Sequence, residues 1–84
     1  MSQQPVLTVY LRRYCHLCDD LLAALAPYKS RMGLTVQEVD IDLDPVLEAR
    51  FGTLIPVLTG PDGAEICHYF LDEAALADCL GKIR

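Results

Sequence analysis

Residues 6–18 read VLTVYLRRYCHLC and combine a strand, a short loop and the start of a helix. The first six, from Val6 to Leu11, are rich in β-branched and aromatic side chains with weak alternation, which predicts a strand buried on both faces. From Cys15 to Met32 the apolar residues recur at helical spacing, and Gly33 is expected to end that helix. Strand, loop and helix in this order open a β-α-β unit, which predicts a parallel first pair of strands.

The rest of the chain continues to alternate between strands and helices. Pro27 predicts a kink or a break near residues 24–27, because proline removes a helical hydrogen bond. Further strands are expected at 34–41, 54–59 and 64–70, the last two joined by the turn Gly60-Pro61-Asp62-Gly63. Asp44-Pro45 and Asp72 are expected to begin helices, the first ending at Gly52. The core positions expected in the last helix are Ala75, Leu76, Cys79, Leu80 and Ile83.

The predicted order β-α-β-α-β-β-α defines an α/β fold with a mixed four-stranded sheet flanked by three helices. A chain of 84 residues, 52% of them hydrophobic, fits one domain spanning residues 1–84. The formal net charge of −5 opposes a nucleic-acid or anionic-membrane surface. No apolar run is long enough to span a membrane, and residues 1–5 lack the features of a secretory signal. We therefore expect a cytoplasmic protein, by default a monomer.

Cys15 and Cys18 form a Cys-x-x-Cys pair at the predicted start of the first helix. A sulfur at this position faces the free N–H groups and the positive end of the helix, and both favour the nucleophilic thiolate. Arg12, Arg13 and His16 add positive or polarisable groups nearby. Cys18 follows one helical turn later, within reach for a disulfide. The pair predicts a site where Cys15 attacks a disulfide and Cys18, the more buried sulfur, resolves the mixed disulfide.

Metal binding is the main alternative use of this cysteine pair. Thiolates bind soft metals such as copper(I) and zinc, so a small metal carrier stays open. A structural zinc site needs about four ligands, commonly from two such pairs, and the second pair is missing. Cys67 and His68 are adjacent in a strand and should point to opposite faces. We predict no metal site, and we interpret Cys79 as a small buried hydrophobe.

Four motifs carry a resemblance to a known family. They are Val9-Tyr10-Leu11, Cys15-His16-Leu17-Cys18, Val39-Asp40-Ile41-Asp42 and Ile55-Pro56-Val57-Leu58. Together they resemble the glutaredoxins, in particular the small bacterial glutaredoxin-like proteins of the thioredoxin superfamily, over nearly the whole chain. The resemblance implies a thioredoxin-like fold and an enzyme, a thiol–disulfide oxidoreductase. A non-catalytic adaptor of the same fold, which docks a partner through Ile55-Pro56, stays open as a third alternative.

The resemblance implies roles for single residues. Cys15 matches the family's nucleophile and Cys18 its resolving cysteine. Pro56 matches a cis-proline that packs beside the disulfide, and the backbone of Ile55 would pair with substrate like an added strand. Arg12 stands where glutaredoxins often carry a lysine that meets the glutathione carboxylate. The residues expected to contact substrate are Arg12, His16, Leu17, Ile55, Pro56 and Asp72.

Two departures from the family pattern concern glutathione. Glutathione-using glutaredoxins usually carry Gly-Gly and then an acidic residue before the last helix, whereas this chain has Tyr69-Phe70 before Asp72. These bulky side chains oppose the close backbone approach that glycines allow. Leu17 replaces the tyrosine of the familiar Cys-Pro-Tyr-Cys motif and supplies no hydroxyl. The expected substrate is a disulfide-containing protein or a glutathione mixed disulfide, with glutathione open as a co-substrate and no bound cofactor.

Overall fold

A four-stranded sheet covered by helices forms the centre of the computed structural model, which describes residues 5–82. The strands are Val6–Leu11 (β1), Thr35–Asp40 (β2), Val57–Thr59 (β3) and Glu65–His68 (β4). The helices are His16–Met32 (α1), Pro45–Phe51 (α2) and Glu73–Lys82 (α3). The strands lie in the order β2-β1-β3-β4, with β1 parallel to β2 and β3 antiparallel to both of its neighbours. The predicted fold class, α/β with a mixed sheet and three helices, is confirmed.

The two faces of the sheet bury separate clusters of side chains. One cluster contains residues from β1, α1, β3, β4 and α3: Leu7, Val9, Leu21, Leu25, Leu34, Leu58, Cys67, Leu76 and Leu80. The other contains Ile41, Phe51 and Val57, with the Tyr10 ring stacked on Phe51 at 4.4 Å between centroids. Neighbouring residues of a strand point to opposite faces, so α1 and α3 cover one face and α2 the other. The predicted core position Ile83 lies outside the described residues.

The helix ends follow the local chemistry of the sequence. Asp44 accepts a hydrogen bond from the Val46 N–H at 2.9 Å, and Asp72 accepts one from the Ala75 N–H at 3.0 Å. Gly33 ends α1 in the left-handed conformation, with φ 66°, where a side chain would be strained. The predicted caps are confirmed, because each satisfies a backbone group that the helix itself leaves without a partner.

The continuity of α1 and the end of β2 differ from the sequence-based expectation. α1 runs without a break from residue 16 to residue 32, so the break expected near Pro27 is absent. Pro27 is exposed, and water can satisfy the carbonyl that its missing N–H leaves free. β2 ends at Asp40, one residue before the expected end, because residues 41–43 form a 3₁₀ turn whose start is capped by the Asp40 carboxylate.

The hairpin strands are also shorter than expected. β3 begins at Val57 rather than at residue 54, because Pro56 has no N–H to donate to a neighbouring strand. β4 ends at His68 rather than at residue 70, because Tyr69 turns into the left-handed region with φ 64°. Within residues 5–82, no helix is long and apolar enough to cross a membrane.

Candidate active site

One edge of the sheet brings together segments that are distant in sequence. β1 and β3 are antiparallel, with Tyr10 opposite Val57, so the end of β1 and the start of β3 share this edge. β4 ends at the same edge, because His68 is also opposite Val57. The loop that leads to Cys15, the residues before β3 and the residues after β4 therefore meet there.

Cys15 and Cys18 occupy the N-terminus of α1 at this edge. Cys15 is the N-cap residue, and its Sγ accepts a hydrogen bond from the Cys18 N–H at 3.1 Å. The two sulfurs form a disulfide, with 5.2 Å between the Cα atoms. Cys18 is only 2% exposed, whereas Cys15 is half-buried. Cys15 is thus the sulfur that a substrate can reach, and a thiolate there would keep the N–H bond and the favourable helix end.

Arg12, just before the cysteine pair, is engaged by carboxylates of its own chain. Its Nε lies 2.8 Å from Asp42 Oδ1, and its guanidinium also contacts the Glu48 carboxylate. The hydrogen bond with Asp42 raises the pKa of the Arg12 guanidinium above its usual value. The resemblance to glutaredoxins implies a glutathione carboxylate as the partner of this side chain. The sequence does not indicate Asp42 or Glu48, because they are 30 and 36 residues away in the chain.

The segment before β3 is held in place by Tyr69. The Ile55–Pro56 peptide bond is cis, and Pro56 is buried. Tyr69 donates its backbone N–H to the Pro56 carbonyl at 2.9 Å and its hydroxyl to the Thr53 carbonyl at 2.7 Å. From the sequence, Tyr69 is expected only to obstruct glutathione, so these two hydrogen bonds are a new finding. The glycine that glutathione-using glutaredoxins usually carry at this position is the one indication of a left-handed backbone here, because glycine adopts that conformation freely.

The hydroxyl of Tyr69 offers a direct test of this contact. We expect Tyr69→Phe to lower the free energy of unfolding by about 1 kcal/mol, because it removes one hydrogen bond and leaves the Thr53 carbonyl without that donor. Denaturant unfolding would measure the change. Tyr14→Phe is the matched control, since the Tyr14 ring is fully exposed. Equal effects of the two substitutions would contradict a stabilising role for the Tyr69 hydroxyl.

The other residues predicted to contact substrate occupy different positions around the cysteines. His16 is exposed and Leu17 is partly buried, and both lie in the first turn of α1 between the two cysteines. Asp72 uses its carboxylate to cap α3. Asp19 and Asp20 are exposed, so their charges lie in solvent. The roles of these side chains toward substrate stay predictions.

Cys67 and Cys79 are free thiols. Cys67 is 8% exposed within the core, and burial raises its pKa, although a backbone hydrogen bond from Asp72 acts in the opposite direction. Burial, and then the nearby Asp62 carboxylate, raises the pKa of Cys79. His68 is exposed, next to buried Cys67, and its Nδ1 lies 2.8 Å from Glu65 Oε2. Among the described residues, no three His, Cys, Asp or Glu side chains are placed to hold a metal ion.

The fold of this chain, with a cysteine pair at the start of α1, is similar to that of thioredoxins. Thioredoxin from Fasciola hepatica has a similar structure, with a TM-score of 0.62 over 96% of this chain and 82% of that one. At 16% sequence identity this similarity concerns the fold alone. The chain therefore has the thioredoxin fold, and its disulfide lies at the N-terminus of the first helix.

Comparison of the sequence with protein families narrows this class. Residues 6–81 match the model of the glutaredoxin-like domain (DUF836), and the chain belongs to this family. It is similar to protein Ne2328 from Nitrosomonas europaea, with 30% identity and a TM-score of 0.80 over 99% of this chain and 94% of that one. It is also similar to protein XcR50 from X. campestris, with 37% identity and a TM-score of 0.72 over 90% and 96%. No curated protein gives a significant match.

Proposed function

We propose that this protein is a thiol–disulfide oxidoreductase. In the reduced protein, the Cys15 thiolate attacks one sulfur of a substrate disulfide, and the other substrate sulfur leaves as a thiolate. Cys18 then attacks Cys15 in the mixed disulfide and releases the second substrate thiol. Two electrons pass to the substrate, and the Cys15–Cys18 disulfide is the oxidised product.

The position of Cys15 is the observation that carries this proposal. Its sulfur accepts the Cys18 N–H at the positive end of a 17-residue helix, and this environment stabilises a thiolate. The buried partner sulfur is one turn away and already pairs with it. Cys67 and Cys79 are less suited to act as nucleophiles, because burial raises the pKa of each and favours its neutral thiol form.

A disulfide-containing protein is the substrate that we propose. Arg12, whose position implies a contact with the glutathione carboxylate, is already paired with Asp42 and Glu48. Tyr69 stands where glutathione-using glutaredoxins usually carry glycine, and its side chain opposes the close approach of glutathione to the backbone. After each cycle, two glutathione molecules reduce the Cys15–Cys18 disulfide as thiol co-substrates and leave as glutathione disulfide. In a cytoplasm kept reducing by such thiols, the pair would rest as a dithiol.

A redox titration of the whole chain would test this function. The protein is equilibrated in buffers of varied reduced and oxidised glutathione, alkylated, and analysed by mass spectrometry for each of its four cysteines. We expect Cys15 and Cys18 to interconvert together between dithiol and disulfide, while Cys67 and Cys79 stay reduced. The latter two are internal controls, because they experience the same buffers in the same molecule.

Two outcomes would overturn the proposal. One is a Cys15–Cys18 pair that resists oxidation while the purified protein carries copper or zinc, which would favour a metal carrier. The other is a pair that oxidises in the titration but, in a separate assay, does not reduce a disulfide-containing protein, which would favour an adaptor. A Cys15–glutathione adduct during the titration would support glutathione as the co-substrate.

A further inference from the structure

A cavity of about 430 Å³ lies between α1 and the segment that joins β4 to α3. Asp20 and Ala24 line its α1 side, and Phe70, Leu71 and Glu73 line the other. Asp20 is two residues after Cys18, about 3 Å further along the helix axis. Tyr69, also in the lining, is hydrogen-bonded to the Pro56 carbonyl. The cavity therefore borders the edge of the sheet where a substrate would meet Cys15.

The lining of this cavity combines apolar surface with two carboxylates. Phe70 is 68% exposed although its ring is large and apolar. The Glu73 carboxylate accepts the hydroxyl of Tyr28, which anchors it at the α1 side. Asp20 is exposed and has no charged partner among residues 5–82. An apolar surface next to a free carboxylate fits a ligand with an apolar stem and a positive end.

We infer that this cavity binds a lysine or arginine side chain of the substrate protein, adjacent to the cysteine that Cys15 attacks. This inference rests on the function proposed above. The aliphatic stem of the basic residue covers Phe70 and Leu71, and its charged end reaches Asp20. The net charge of −5 also attracts a basic substrate segment. Glutathione, with two carboxylates and one ammonium group, is the wrong ligand for this acidic rim.

Three short peptides would test the inference on the reduced full-length protein. Each contains one cysteine blocked as a mixed disulfide with thionitrobenzoate, and they differ only in the next residue, which is Lys, Gln or Glu. Attack by Cys15 expels the coloured thiol, so absorbance gives the rate for each peptide. We expect the Lys peptide to react about threefold faster than the Gln peptide, and the Glu peptide slower still, as for a partly exposed ion pair.

Two variants separate a local effect from the overall charge of the protein. Asp20→Asn should remove most of the preference for the Lys peptide, because it removes the free carboxylate. Glu38→Gln is the matched control, since Glu38 is an exposed acid on edge strand β2, away from the cavity. Glu38→Gln should keep the full preference although it changes the net charge by the same amount.

The outcomes distinguish failure of this inference from failure of the proposed function. Equal rates with the three peptides would overturn the cavity as a basic-residue site, while the oxidoreductase function would stand. The same loss of preference in Asp20→Asn and Glu38→Gln would also overturn it, because overall charge alone would then explain the effect. Release of no coloured thiol from any peptide would overturn both proposals.

Discussion

Cys15→Ser is expected to abolish disulfide reduction, with a loss of rate of at least about a thousandfold, as for other enzymes that lose their nucleophile. A serine hydroxyl at the N-cap still accepts the Cys18 N–H, so the helix start is retained. The hydroxyl does not ionise near neutral pH, however, and forms no mixed disulfide. The rate of thiol release from a blocked cysteine peptide would measure the loss.

Cys18→Ser provides the informative contrast to this variant. Cys15 remains and still attacks, so the first thiol is released, but the mixed disulfide with the peptide now accumulates. Mass spectrometry would detect this adduct on Cys15. Cys79→Ser makes the same chemical change at a free thiol next to Gly60, in the turn after β3, and should leave the rate unchanged. A normal rate in Cys15→Ser would exclude the proposed mechanism.

The parts of the fold that sequence reasoning predicted correctly are those that local chemistry determines. The caps at Asp44 and Asp72 depend on a carboxylate that reaches a backbone N–H two or three residues away. The order of strands and helices follows from the change between strand-like and helical spacing of apolar residues. Cys15 and Cys18 could be assigned to one helix start for the same reason.

The parts that could not be predicted depend on contacts between distant segments. Nothing in the sequence near Asp42 or Glu48 indicates Arg12 as their partner, because Arg12 is 30 and 36 residues away in the chain. Tyr69 has a left-handed backbone that its residue type disfavours, and the two hydrogen bonds to the segment before β3 form only in the folded sheet. Such contacts lie around the candidate active site, so the sequence predicted the position of the cysteine pair better than its surroundings.

Leu25→Ala is expected to cause the largest loss of stability among the substitutions considered, about 3 kcal/mol. Leu25 is completely buried in the cluster that joins α1 to the sheet, so truncation removes apolar contacts and leaves a cavity. A chain of 84 residues has a total stability of roughly 4–12 kcal/mol, so this loss is a large share. Denaturant unfolding at one fixed redox state would measure it, because the Cys15–Cys18 disulfide also affects stability.

Leu43→Ala is the matched control, because it makes the same chemical change where the side chain is 82% exposed. It should change the free energy of unfolding by less than about 0.5 kcal/mol. Leu25 also lies two turns after Cys18 on the helix that holds both cysteines. The packing of Leu25 on the sheet therefore supports the helix that holds both cysteines. Comparable losses of stability in the two variants would show that the packing of α1 on the sheet does not determine the stability of this fold.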